Sequence, residues 1–158
     1  RTGEAILPKA VNNARDDRLS DSPFWRESFH ERRCLVPATS FAEPRGRGPA
    51  IYHWFALAGE EPRPLFAFAG LWRHHRGRYR DALVEIDTCT IVTTTPNDLV
   101  RPVHPARMPV ILDPADWETW LGDSADAALA LLRPFPADRM RVVREGAGET
   151  RDPLPGTG

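Results

Sequence analysis

Leu65-Phe66-Ala67-Phe68-Ala69-Gly70-Leu71-Trp72 is an apolar run that leads into His74-His75-Arg76-Gly77-Arg78. Leu83 to Thr95 follows and contains Thr90-Ile91-Val92-Thr93-Thr94-Thr95. β-Branched and aromatic side chains suit a pleated, half-buried surface, so both runs read as strands and the basic segment between them as a hairpin tip. Cys34-Leu35-Val36, Ile51 to Leu57 and Val110 to Leu112 read as further strands, and Met140 to Val143 as a last edge strand. Arg45-Gly46-Arg47-Gly48-Pro49 is a turn by composition, and Gly59 to Pro64 a loop.

Helices are expected to be few and short. One spans Pro23 to about Arg32, with Ser22 as its cap and Phe24, Trp25 and Phe29 as its apolar face. A second starts at Asp113 as N-cap with Pro114 in the first position, and carries Trp117, Trp120 and Leu121. A third runs from Ala125 to about Leu132. Sixteen Pro and eleven Gly argue against long helices. Strands mixed with segregated short helices predict an α+β domain, or a partly closed, mainly β barrel with helices outside.

The chain has 158 residues, 41% of them hydrophobic and 9% aromatic, which is enough for one buried core and excludes a wholly disordered chain. No run approaches the length of a membrane span, and no signal-peptide pattern opens the chain. Two cysteines, Cys34 and Cys89, make no disulfide framework, so a reduced, intracellular protein is expected. Both lie inside apolar β runs, where thiols are usually inert packing. The opening stretch to Val11 reads as a loop, and a disordered tail is expected over 146–158.

The net charge is −1, from 21 basic and 22 acidic residues, and does not announce a nucleic-acid binder. Its distribution is more informative. Lys9 is the one lysine, so nearly all positive charge is arginine, and Trp25, Trp54 and Trp72 fall among the arginines. Arginines with stacking aromatics equip a protein for single-stranded nucleic acid. A codon bias, with solvated arginines over core tryptophans, produces the same composition.

Glu43 ends an apolar strand in Ser40-Phe41-Ala42-Glu43-Pro44. A carboxyl half buried there would have a raised pKa suited to proton transfer, whereas one facing water would have no role. His104 stands in Pro102-Val103-His104-Pro105-Ala106-Arg107-Met108-Pro109, a stiff loop able to hold an imidazole for chemistry or for packing. Asn12-Asn13-Ala14-Arg15 offers amides and a cation, and an ordinary turn explains it equally well. His53, His74 and His75 lack ligand spacing for a metal, because adjacent residues in an extended chain point to opposite faces. Neither a glycine-rich phosphate loop nor a recognisable hydrolase motif occurs.

The motifs form an ordered series. Asn13-Ala14-Arg15 precedes Ser22-Pro23-Phe24-Trp25-Arg26, Arg33-Cys34-Leu35-Val36-Pro37-Ala38 and Phe41-Ala42-Glu43-Pro44. Phe66-Ala67-Phe68-Ala69-Gly70-Leu71-Trp72, Thr90-Ile91-Val92-Thr93-Thr94 and His104 through Arg107-Met108-Pro109-Val110-Ile111-Leu112 follow, with Trp117 to Leu121 last. From about Asn13 to Leu121 this series closely resembles the SRAP family, the SOS-response-associated peptidases or abasic-site processing proteins.

The resemblance implies a mainly β, barrel-like core with flanking helices, as one domain over 1–145. It implies a DNA-damage protein that binds single-stranded DNA at abasic sites. A cysteine exposed by autoproteolytic removal of the initiator Met attacks the ring-opened sugar aldehyde. Its amine and thiol then close a thiazolidine, a covalent protein–DNA crosslink, with lyase-like activity alongside. By the same resemblance Glu43 is the residue that shuttles protons, His104 the acid or base at the opened sugar, and Asn13 the group that orients the reacting N-terminal residue. Arg15 and Arg107 would hold flanking phosphates, which position a strand without reading its sequence. No metal and no cofactor are implied. A cytoplasmic monomer, associated with the nucleoid when on DNA, is expected.

Three departures accompany the resemblance. The chain opens at Arg1, so the nucleophilic cysteine and the N-terminal part of the family domain are expected to be missing from it. Pro44 stands where many members have Trp. His104-Pro105-Ala106-Arg107 is one residue longer than the commoner His-x-Arg-Met-Pro. The alternative to the crosslinking function is a non-catalytic single-stranded DNA-binding module, or an inactive fragment. A peptidase acting on other proteins finds no nucleophile–base pair among these residues.

Overall fold

The long hairpin expected between Leu65 and Thr95 is the spine of the molecule. A computed structural model describes residues 11–46, 49–79 and 82–152. In chain order the elements are β1 (Asn13–Arg15), α1 (Arg26–Glu31), β2 (Arg33–Ala38), β3 (Phe41–Arg45) and β4 (Ile51–Leu57). Then come β5 (Phe66–Tyr79), β6 (Ala82–Thr94), β7 (Met108–Pro109), β8 (Ile111–Leu112), α2 (Trp117–Gly122), α3 (Ala125–Ala130) and β9 (Met140–Ala147). Short 3₁₀ turns link several of them. The predicted class holds: mostly strand, with a few short helices.

A six-stranded sheet has the order β1-β6-β5-β2, with β7 on β6 and β8 on β5, and a second sheet has the order β3-β4-β9. β1 is parallel to β6, and every other pairing is antiparallel. Side chains alternate across a strand, so the large sheet feeds two cores. On one face Ala14, Ala69, Leu71 and Val92 pack under Phe29 of α1, Trp120 of α2 and Ala128 of α3. On the other, Phe66 and Phe68 pack against Phe41 and Phe55 of the small sheet, together with Val100, Val103 and Met108. Phe41 meets Phe68 edge-on at 5.7 Å between ring centroids. Each fully buried Phe of this kind contributes roughly 1.5–3 kcal/mol relative to an exposed one.

Several expectations are corrected. His74 to Arg78 is not a hairpin tip, because the β5–β6 ladder continues to Tyr79↔Ala82. The inner half of this hairpin is core, while Leu83, Ile86 and Cys89 on its outer half are exposed. Cys89 is therefore not packing. The first helix begins at Arg26 rather than Pro23: Ser22 caps a preceding turn through its hydroxyl to Phe24 N and its carbonyl to Trp25 N and Arg26 N. Phe24 remains exposed, and only Phe29 and, in part, Trp25 face the core. Asp113 makes no side-chain cap and instead forms a two-pronged ion pair with Arg139. The third helix ends at Ala130, capped at its start by Ser124.

Asn13 to Arg15 forms a strand rather than a turn. Pro37 is accommodated inside β2 because β2 edges the large sheet, where a missing N–H breaks no ladder. The tail expected to be disordered from residue 146 is ordered to Asp152. Gly146 and Ala147 extend β9, and Trp54 Nε1 donates to the Glu149 carbonyl at 2.8 Å. Asp152 accepts from Arg63 and from the Ser40 hydroxyl. Residues 153–158, the stretch to residue 10, and residues 47 and 48 of the predicted turn lie outside the described residues. Among the described residues no helix is long and apolar enough to cross a membrane.

Candidate functional site

Glu43 is on β3, two residues beyond Phe41, and so shares the face that Phe41 turns to the core. Its carboxyl is partly buried at the mouth of that core. Burial pushes its pKa up, and the neighbouring His104 pulls it down to a smaller extent. A carboxyl near an imidazole, lifted from the ordinary range, is equipped to hold and return a proton.

His104 comes from the loop between β6 and β7, and this loop is built on Asn97. The buried Asn97 carboxamide oxygen accepts from Leu99 N at 3.1 Å and Val100 N at 2.9 Å, and its amide donates to the Phe135 carbonyl at 2.7 Å. Val100 and Val103 insert into the core, and His104 N donates to the Val100 carbonyl. His104 Nδ1 lies 2.6 Å from the Arg107 carbonyl and 3.2 Å from the Arg107 backbone N–H. Both contacts hold Nδ1 against the loop backbone, so Nε2 is the ring nitrogen that these contacts leave for chemistry.

The Arg107 guanidinium turns inward. It pairs with Asp16 at 2.5 Å, donates to the Thr93 carbonyl, and reaches the Thr93 hydroxyl at 3.3 Å. Thr93 in turn donates its hydroxyl to the Ala14 carbonyl. The arrangement ties the His104 loop, the end of β6 and the start of the Asp16 turn into one unit. Arg15 differs: it is exposed and holds Asp17 in a two-pronged ion pair of 3.0 and 2.7 Å. The Asp17 pair raises the pKa of Arg15 and lowers that of Asp17, chiefly by hydrogen bonding.

Asn13 pairs with Ile91 in the β1–β6 register, and Ile91 packs against the core lined by Phe41 and Phe68. Asn13 is exposed on that same side of the large sheet as Glu43 on its sheet. Glu43 and His104, from elements distant in sequence, thus come within electrostatic range of each other, while Asn13 is placed by its register on the Ile91 face of the large sheet. Gly70 lines this face. A Cβ there would lie 2.8 Å from Val36 Cγ2 and 2.9 Å from Cys34 Sγ, so the position is close-packed as glycine.

Sequence reading missed Asn97, Asp16 and Thr93. Pro96-Asn97-Asp98 carries a turn signal, since Asn commonly bonds backbone two residues on, but Asp16 has no local signal. The histidines do not converge. His74 lies on exposed β5 between Asp87 and Glu85, His75 is on the opposite face, and His53 is on the other sheet beside Glu145. Among the described residues no cluster of His, Cys, Asp and Glu has the arrangement of a metal site.

The family model described as SOS response associated peptidase (SRAP) matches residues 3–145. The chain is 37% identical over 135 residues to the abasic site processing protein YoqW of Bacillus subtilis, covering 84% of this chain and 58% of that protein. It is 35% identical over 147 residues to the abasic site processing protein YoaM of the same organism, covering 84% and 57%. A crystal structure of a protein from Bacteroides thetaiotaomicron superposes with a TM-score of 0.71 at 32% identity, covering 84% of this chain and 58% of that one. A protein from Bordetella bronchiseptica gives 0.69 at 29% identity, with 85% and 64% covered. The chain therefore spans less than two thirds of the length of these relatives. With the family model matching nearly its whole length, the chain belongs to the SOS response associated peptidase (SRAP) family.

Proposed function

We propose that this domain processes abasic sites in single-stranded DNA, with Glu43 and His104 as its acid–base pair and Asn13 as its orienting group. The observation that carries the reading is the partly buried Glu43 carboxyl, lifted by burial and within electrostatic reach of His104 from a different element. A carboxyl lifted above its ordinary range can hold a proton and return it to a reacting group. The names of the relatives supply the lesion.

In this reading an N-terminal cysteine of the whole protein adds its amine to the opened sugar aldehyde. Glu43, as the neutral acid, protonates the departing hydroxyl, so that water leaves and an imine forms. The thiol then adds across the imine: the C–S bond forms, the thiol proton moves to the imine nitrogen as its C=N π bond is consumed, and the thiazolidine closes. His104 Nε2 takes or returns the proton of the sugar hydroxyl. Arg15 can exchange Asp17 for a phosphate. Arg107 acts mainly by fixing the loop, since its guanidinium is committed to Asp16 and Thr93. The protein would work as a cytoplasmic monomer.

The test is a denaturing gel with a single-stranded oligonucleotide carrying one abasic site, with and without borohydride. A heat-stable adduct that slows with Glu43→Gln and His104→Ala, while DNA binding persists, supports the reading. Adduct formation and release unchanged in both variants rejects the assignment. Binding without any adduct favours a non-covalent DNA-binding module.

A further inference from the structure

Arg45 closes β3, and Phe41, Glu43 and Arg45 alternate onto one face of that strand. Their exposure is graded. Phe41 is buried in the core, Glu43 is half-buried at its mouth, and Arg45 is exposed. Two steps of a strand place Arg45 about 6.5 Å along β3 from Glu43. Gly46 then turns the chain with a φ of 96°, and a Cβ there would meet nothing within 4 Å, so β3 ends in open space.

The charge of Arg45 is uncommitted. The other arginines on the strands of the small sheet are paired, Arg141 with Glu61 at 2.9 Å and Arg144 with Glu149 at 3.4 Å. Arg45 makes no hydrogen bond and no ion pair among the described residues. Sequence and register explain this. No acidic residue occurs from Pro44 to Gly59, and Glu145 on β9 is held by His53 at 3.1 Å. His104 is the charged group that acts on Glu43, so the Arg45 guanidinium is not spent on that carboxyl. The other cations at the site are engaged, Arg107 with Asp16 and Thr93, and Arg15 with Asp17. A guanidinium presents a planar fork of donors that matches two oxygens of a phosphate. Arg45 can take such an anion without first giving up a partner.

We propose that Arg45 is a phosphate contact for single-stranded DNA and holds the backbone beside the sugar presented to Glu43. This rests on the abasic-site reading above, and it adds a cation that the family resemblance does not assign. The contact is blind to sequence, because a phosphate carries no base information. Arg107 then fixes the His104 loop from within, while Arg45 holds the strand from outside.

The experiment titrates the full chain with an unmodified single-stranded oligonucleotide over a range of salt concentrations, as wild type, Arg45→Gln, Arg45→Lys and Arg26→Gln. Arg26 is an exposed arginine on α1, which covers the opposite face of the large sheet, and its loss changes the net charge equally. Each phosphate contact on a single strand adds about 0.7 to the slope of log affinity against log salt. Arg45→Gln should reduce the slope by about that amount, which makes binding roughly fivefold weaker at about 0.1 M salt. Arg45→Lys should keep the slope, since the charge remains, and Arg26→Gln should leave it unmoved. A slope unchanged in Arg45→Gln overturns the contact. So does a slope lowered equally in Arg26→Gln, which would be general electrostatics, or equally in Arg45→Lys, where the charge is retained. A wild-type chain without affinity for the oligonucleotide at low salt overturns it as well. The oligonucleotide carries no lesion, so this contact and the chemistry fail separately. An abasic-site adduct with a slope that ignores Arg45 keeps the proposed function and discards the contact. A slope that falls in Arg45→Gln without any adduct keeps the contact and discards the covalent chemistry.

Discussion

Arg107 and Asp16, 91 residues apart in the chain, form an ion pair of 2.5 Å with side chains only 17% and 19% exposed. The pair joins the loop that carries His104 to the turn that follows Asn13 and Arg15. Removing one partner strands a desolvated charge, which costs more than the pair itself contributes. Asp16→Ala is expected to lower stability by about 1–3 kcal/mol, between the exposed and buried cases. Urea denaturation reads this directly, and a midpoint equal to wild type would show that the pair does not organise the site.

Asn97→Ala removes two accepted and one donated hydrogen bond at a buried position. The Leu99 and Val100 amides and the Phe135 carbonyl lose their partner together. The expected loss is about 2–4 kcal/mol, from buried polar groups left unsatisfied. Hydrogen exchange should show faster exchange of the Val100 amide, and of the His104 amide that depends on the same turn. Unchanged protection at both would place the loop's anchor elsewhere.

Burial raises the Glu43 pKa, so the folded state binds this proton more tightly than the unfolded chain does. The associated stability is present below the ordinary carboxylate range and is lost as pH rises through the raised value. Glu43→Gln removes the buried charge. It should therefore unfold at a higher temperature than wild type near about pH 8 and converge with it near about pH 4. A difference that grows toward acid would contradict the burial argument. A site residue that costs stability while serving chemistry is a common trade.

The Cys34 thiol is pushed up to about 11 by burial, with a smaller contribution from Cys89. Two units above an ordinary thiol leave about a hundredfold less thiolate at a given pH. Cys89 is exposed on β6 and should be alkylated first, with Cys34 slower by about that factor. Peptide mass spectrometry after a timed iodoacetamide pulse separates the two sites. Equal labelling would mean that β2 opens readily at its edge.

Gly70→Ala places a methyl group 3.1 Å from the Cys34 carbonyl as well as against Cys34 Sγ and Val36. The carbonyl belongs to the β2 backbone and cannot rotate away. Overpacking of this kind costs about 1–3 kcal/mol. Thermal unfolding of Gly70→Ala, alone and with Cys34→Ala, checks it. The double variant should recover only part of the loss, and full recovery would locate the strain in the sulfur alone.

Much of the strand content was legible locally. Ile51 to Leu57 was delimited by its own residue types, and the Leu65–Trp72 and Leu83–Thr95 runs marked the central hairpin. The boundaries that failed did so for tertiary reasons. The basic stretch His74 to Arg78 looks like a tip because charged residues commonly mark turns. It stays in the ladder because His74 gains Asp87 and Glu85 across the strands, which raises its pKa. Asp113 has the composition of a cap, but Arg139 offers its carboxylate a two-pronged ionic partner. Gly146 to Asp152 has the composition of a tail, yet Trp54 donates to the Glu149 carbonyl, and Arg63 and Ser40 donate to the Asp152 carboxylate, which holds it in place.

Residue order alone determined the class of fold and the family resemblance, and it marked Asn13, Glu43 and His104 as candidates, because alternation and motif spacing are properties of short windows. It could not determine that Glu43 is half-buried near His104, that Arg107 spends its charge on Asp16, or that His53 is buried against Glu145. Those facts depend on sheet register and on desolvation. Register joins strands dozens of residues apart, and desolvation is set by everything that packs around a group, so neither is written in any local stretch of the chain.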